Sequence, residues 1–178
     1  MRSYTAEGII IRRRNIGEGD RILTVLTKKN GKIHIKAVGV RKITSRRSPH
    51  IEPLNHGIFT LYKPPRGYAI LTEANTVNTF SLIKSDLKRI GYAYHLCELI
   101  DSLCAENFEQ ANVFLLFKNA LTQLSTATDL SFISVFEREL LVQLGFYPRE
   151  SPFADTQSFI ESILERRLKT KRFLHRFA

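Results

Sequence analysis

Arg21-Ile22-Leu23-Thr24-Val25-Leu26-Thr27-Lys28-Lys29-Asn30-Gly31-Lys32-Ile33-His34-Ile35-Lys36-Ala37-Val38 is the stretch that most sharply restricts the architecture. Arg21 to Thr27 is a β-branched run of strand length. From Ile33 the apolar residues alternate with His34 and Lys36, the period of a half-buried strand. Asn30-Gly31 lies between the runs, and both residues accept the positive φ of a type I′ turn. The stretch predicts an antiparallel hairpin. To either side lie three more strand-sized segments: Glu7-Gly8-Ile9-Ile10-Ile11-Arg12, Gly57 to Lys63, and Tyr68 to Glu73. Pro64-Pro65-Arg66-Gly67 marks a second reversal, and Arg41 to His56 is a long, basic, turn-rich connection. Five short strands predict a small closed barrel. The OB-fold is the commonest five-stranded choice, and its strands and loops bind oligonucleotides.

After residue 80 the hydrophobic period becomes helical. Ile83, Leu87, Ile90, Tyr94, Cys97, Ile100 and Cys104 step by threes and fours along one face, with Ser85-Asp86 near the start as cap or first turn. Asn112 to Leu124 predicts a second helix. Asp129 is placed to cap a third, with Phe132, Ile133, Phe136, Leu140, Leu141 and Leu144 inward. Leu144-Gly145-Phe146-Tyr147-Pro148 reads as its stop, and Arg149 to Ala154 as a linker. Thr156 to Phe177 predicts one amphipathic helix, apolar through Phe159, Ile160, Ile163, Leu164 and Leu168, and basic through Arg166, Arg167, Lys169, Lys171 and Arg172. The expected fold class is α+β: an N-terminal five-stranded OB-fold β-barrel over residues 1–80, then an α-helical domain over 81–178.

The 178 residues carry 27 Lys and Arg against 17 Asp and Glu, a formal net charge of +10. Residues 1–80 hold 15 basic and 5 acidic side chains, residues 81–148 hold 5 and 8, and residues 149–178 hold 7 and 4. The excess therefore sits on the barrel segment, a pattern that points to a polyanionic partner. No run of eighteen apolar residues exists, so no membrane span is expected. The start, Met1-Arg2-Ser3-Tyr4, lacks the apolar region of a signal peptide, and the expected location is cytoplasmic. Two cysteines exclude a disulfide framework and a four-cysteine zinc site.

Catalytic signatures are missing. Gly31-Lys32 is a lone pair rather than a phosphate-cradling loop, and the two carboxylates of Gly17-Glu18-Gly19-Asp20 are too few for a metal site. His34 and His95 read as structural or surface residues. No enzyme, cofactor or metal is expected. The basic groups read as phosphate contacts: Arg12 and Arg14 on one face of the first strand, Lys28, Lys29 and Lys32 around the hairpin turn, and Arg41, Lys42, Arg46 and Arg47 in the long loop. Lys63 and Arg66 flank the second reversal, with Tyr62 and Tyr68 beside them as stacking platforms for unpaired bases. Arg166, Lys169, Lys171 and Arg172 would either extend that surface or receive an acidic peptide.

Several segments together resemble the RecO family of bacterial DNA-repair and recombination mediators. They are Glu7-Gly8-Ile9-Ile10 with Gly17-Glu18-Gly19-Asp20, Leu26-Thr27 through Gly31-Lys32, and Gly39-Val40-Arg41-Lys42 with Ser45. Asp86-Leu87, Tyr92-Ala93-Tyr94, Glu98-Leu99, Phe136-Glu137, Leu140-Leu141, Leu144 to Pro148 and Leu168 to Arg172 follow in order. The resemblance implies an OB-fold followed by helices, binding of single- and double-stranded DNA, and annealing of complementary strands. It also implies partnership with RecR in loading RecA onto DNA coated by single-stranded-DNA-binding protein (SSB), whose acidic tail would dock on the helical part, and a nucleoid-associated location. Many relatives carry a four-cysteine zinc module after the Gly-Tyr-x-Pro segment. Here Pro148 is followed by Arg149-Glu150-Ser151-Pro152-Phe153, so the expectation is a short, zinc-free variant. An interaction adaptor with only weak DNA binding is the competing reading.

Overall fold

The computed structural model describes residues 2–150 and 155–176. They form two compact units, one running to Phe80 and including Ala105–Phe114, the other holding Ser81–Cys104 and the chain from Leu115.

The first unit is a closed barrel of β1 (Arg2–Ile16), β2 (Asp20–Thr27), β3 (Gly31–Ala37), β4 (His56–Lys63) and β5 (Ala69–Asn78). Its strand order around the barrel is β1-β2-β3-β5-β4, closing on β1, the connectivity of an OB-fold. All pairings are antiparallel except β3 with β5. β1 is longer than the sequence pattern predicts because it serves two partners. Arg2 to Ile9 pair with β4, and Gly8 to Ile16 pair with β2. The register to β2 slips between Ile10 and Arg12, an irregularity that bends the strand where the barrel must turn. Inward side chains alternate as expected, with Ile10, Leu23, Val25, Ile35, Phe59 and Leu61 all buried in one core.

The β2–β3 turn corrects one expectation. Gly31 takes a φ of 66°, but Asn30 is not in the left-handed region, so the turn is a three-residue loop returning through a left-handed glycine rather than a type I′ pair. Thr27 braces it: its hydroxyl donates to the Gly31 carbonyl at 2.8 Å and accepts from the Asn30 N–H at 3.0 Å. Gly31 is also required by space, since a Cβ there would stand 1.8 Å from the Phe108 carbonyl oxygen.

The second unit contains α1 (Ser81–Lys84), α2 (Leu87–Leu103), α4 (Phe132–Gln143), α5 (Thr156–Leu164), α6 (Lys169–Leu174), and α3 (Ala111–Thr126) from Leu115 onward. Asp86 caps α2, accepting from the N–H groups of Lys88 and Arg89. α4 starts later than the pattern predicts: Asp129 instead holds the preceding turn, accepting from the N–H and hydroxyl of Ser131. Gly145, at φ 78°, ends α4 as expected, with Phe146 N–H bonded to Leu141 O and Gly145 N–H to Val142 O.

The single C-terminal helix predicted over Thr156–Phe177 is two helices. Glu165 is left-handed (φ 52°) and Leu168 is extended and 1% exposed. Burying Leu168 breaks the helix, and the N–H groups freed at the start of α6 are taken up by Glu98 on α2. Phe177 and the 151–154 part of the expected linker lie outside the described residues. Cys97 and Cys104 are buried and form no disulfide. No helix among the described residues is long and apolar enough to cross a membrane.

Candidate nucleic-acid interface

Strand parity turns alternate side chains of β1, β2 and β3 outward, and registered pairing aligns them into rows. Arg12 pairs with Thr24 and Thr24 with His34. Arg14 pairs with Ile22, Ile22 with Lys36, Lys36 with Ile70, and Ile70 with Tyr62. Cross-strand neighbours of this kind stand about 5 Å apart, so each row carries its polar ends, Arg12 and His34 or Arg14 and Lys36, across the buried Thr24 or Ile22. Tyr68, half exposed at the mouth of β5, joins the first row: its ring centroid lies 5.6 Å from that of His34. Arg12, Arg14, Ile22, Thr24, His34 and Tyr68 together line a cleft of about 180 Å³. It combines two guanidinium groups with an exposed aromatic ring beside an imidazole, the pairing of phosphate and base-stacking groups that a sequence-blind nucleic-acid surface needs.

The His34 ring is fixed from both sides. Its Nε2 lies 2.8 Å from Glu106 Oε1 and its Nδ1 3.2 Å from Thr24 Oγ1. A carboxylate only accepts, so Nε2 donates to Glu106. This bond from His34 holds the Glu106 carboxyl below the usual carboxylate range. Lys36 is placed by Asp20, 3.3 Å away. The Gly39 N–H on Asp20 holds that carboxyl low as well.

The remaining predicted contacts separate by environment. Lys28, Lys29, Lys42, Arg46, Lys63 and Arg66 are exposed, at the β2–β3 turn, in the 38–55 loop and at the β4–β5 turn. Lys28 lies 3.8 Å from Glu7. Lys32 is only 6% exposed, where β3 pairs with the 106–107 segment and the Asn107 N–H bonds its carbonyl. That burial keeps it off the exposed strip. Arg41 and Arg47 act as braces. Arg41 donates to the Gly17 carbonyl at 2.9 Å, and Arg47 to the Leu71 and Val38 carbonyls at 2.7 and 2.9 Å. The Gly17–Asp20 turn and the Gly39–Lys42 segment are thereby clasped together, which gives both stretches a local reason for their composition. Among the described residues no group of three or more His, Cys, Asp or Glu is placed to hold a metal ion.

In the helical unit Arg166 is committed to Glu98 at 3.0 Å and Ser102 at 2.6 Å. Lys169 is exposed and opens α6. Lys171 and Arg172 share a cleft of about 250 Å³ with Arg167, Leu168, His175 and Glu161. His34 and Lys36 are not among the predicted contacts, although the alternation that predicts β3 places both outward. Glu106 carries no signal in the sequence, being 72 residues from His34.

A closed β1-β2-β3-β5-β4 barrel with a cationic, aromatic-lined outer face, followed in the chain by helices, defines a protein of the OB-fold class. Comparison with known sequences agrees in detail. Residues 1–80 match the family model "Recombination protein O N terminal" and residues 84–171 match "Recombination protein O C terminal". The chain belongs to the RecO family. Similar proteins include the DNA repair protein RecO of Roseiflexus sp. (strain RS-1), 37% identical over 150 residues covering 83% of this chain and 52% of that one. That of Heliobacterium modesticaldum is 34% identical over 161 residues, 90% of this chain and 58% of the relative. That of Pelotomaculum thermopropionicum is 32% identical over 148 residues, 83% and 57%. The chain thus spans between half and two thirds of the length of these relatives.

Proposed function

We propose that this protein is a DNA-repair and recombination mediator that binds single- and double-stranded DNA on the outer face of its barrel and anneals complementary strands. The observation that carries the reading is the pair of rows joining Arg12, Arg14, His34, Lys36 and Tyr68 on adjacent strands. The relatives' names as DNA repair proteins support it. Annealing requires no covalent step, so the reading is non-enzymatic. Cationic side chains lower the repulsion between two approaching phosphate backbones, and release of counterions favours the encounter. Tyr68 holds a base unpaired and without sequence preference until a complementary base displaces it. Partnership with RecR in loading RecA onto SSB-coated DNA belongs to the same reading. So does docking of the coat protein's acidic tail, for which the Lys171–Arg172 cleft beside Leu168 is the matching surface. Were that cleft the main working surface, the protein would be an adaptor with weak DNA binding.

The test mixes purified protein with labelled complementary strands across a salt series, without ATP and with chelator. Annealing that weakens steeply with salt is expected. No DNA binding at low salt would favour the adaptor, and strand cleavage restored by divalent metal would indicate an enzyme.

A further inference from the structure

The 38–55 loop carries at its apex an apolar side chain that neither the barrel core nor the cationic rows use. Ile43 is the most exposed large apolar residue among those described, at 104% of its reference surface. It stands at the apex of a turn closed by the Ser45 N–H on the Lys42 carbonyl at 2.9 Å. Single exposed apolar side chains are common on surfaces and usually signify little. This one is presented differently. The loop beneath it is braced on both sides: the Arg41 N–H bonds Gly19 O, the Arg41 guanidinium bonds Gly17 O, the Gly39 N–H bonds Asp20, and Arg47 spans to Leu71 and Val38. Exposed Lys42 and Arg46 flank the apex. An apolar tip on a braced loop between two cations has the form of the wedges that enter base steps, with the cations placed to neutralise phosphates either side of the opening. A braced loop loses little freedom on insertion, and burying an isoleucine side chain is of the same order as the cost of opening one base step.

We propose that Ile43 is a wedge that enters the base stack of duplex DNA held by Lys42 and Arg46. The inference rests on the DNA-binding reading above and extends it to an action on paired DNA. Phosphate contacts alone stabilise any duplex, correct or not. A wedge opens short misplaced pairings so that the longer complementary pairing prevails.

The test uses the full chain and a duplex carrying 2-aminopurine, whose fluorescence is quenched while it is stacked. Wild-type protein should raise the fluorescence several-fold on binding. Ile43→Ala should return it to near the free-duplex level while binding by anisotropy and its salt dependence stay unchanged, and Ile43→Met should restore the rise. Because Ile43 is exposed, the variants should unfold at the wild-type temperature, which a circular dichroism melt checks. Tight duplex binding with bases left stacked, or an Ile43→Ala protein that still unstacks them, overturns the wedge alone. Failure of the wild type to bind duplex at low salt overturns the DNA-binding reading beneath it.

Discussion

Glu106 is the side chain whose removal separates positioning from charge at the barrel face. Its carboxylate orients the His34 ring and places a negative charge beside the cleft proposed to receive phosphate. Glu106→Gln keeps an acceptor for His34 and deletes the charge. DNA affinity should rise by up to about 1 kcal/mol at low salt, the size of an exposed ion-pair effect, and the gain should vanish at high salt. Fluorescence anisotropy at two salt concentrations measures this, and weaker binding by the variant would show that the charge itself is needed. The residues of the cleft differ in how visible they are in sequence. Arg12 and Arg14 follow from strand parity alone, because a period of two puts them on one face. His34 and Lys36 obey the same parity and are legible in principle. The burial of Lys32 is not, because it shares their outward parity and is covered by a segment more than seventy residues away in the chain. The bracing roles of Arg41 and Arg47 are equally hidden, since a cation's partner in a folded loop is set by tertiary contact.

Polar junctions add to the apolar packing between the helical elements, and Glu98 forms one between α2 and α6. It accepts from the N–H groups of Lys169 and Thr170, from the Thr170 hydroxyl and from Arg166. Partial burial pushes its pKa up, but these four donors outweigh burial and hold it at about 2 against the ordinary 4.5. The folded-state pKa is depressed, so the stabilisation is fully present above the unfolded value and is lost as pH falls from about 4.5 towards 2. Glu98→Gln should therefore lower stability by about 1–2 kcal/mol at pH 7, allowing for solvent screening of a partly exposed site. The gap between variant and wild type in urea unfolding should close as pH drops towards 2. A gap that stays constant with pH would show that Glu98 acts by packing rather than by charge. This junction also explains where sequence reading stops. The apolar period runs through Thr156 to Leu168 without a visible interruption, so it predicts one helix. The break at Glu165 arises because Leu168 is buried and because α2 supplies a carboxylate to cap α6. Strands β1 to β5, by contrast, are legible because alternation, turn residues and the basic loop all agree. The extension of β1 is not, since its second partner is β4, about fifty residues on.

Across the whole molecule the net charge of +10 is distributed unevenly, with the first eighty residues as positive as the entire chain. The fold gives that excess a location. Arg12, Arg14 and Lys36 lie on two adjacent rows of the barrel face, and Arg21, Arg41 and Arg47 are engaged within the protein, with Arg21 3.8 Å from Glu52. Net charge alone, then, overstates the number of cations that can meet a phosphate. The salt dependence of DNA affinity counts those that do. Replacing Arg12, Arg14 and Lys36 together by Ala should reduce the slope of log Kobs against log[salt] for single-stranded DNA by about 2, at about 0.7 for each phosphate no longer neutralised. An undiminished slope in a folded variant would place the DNA elsewhere on the molecule and contradict the assignment of the barrel face.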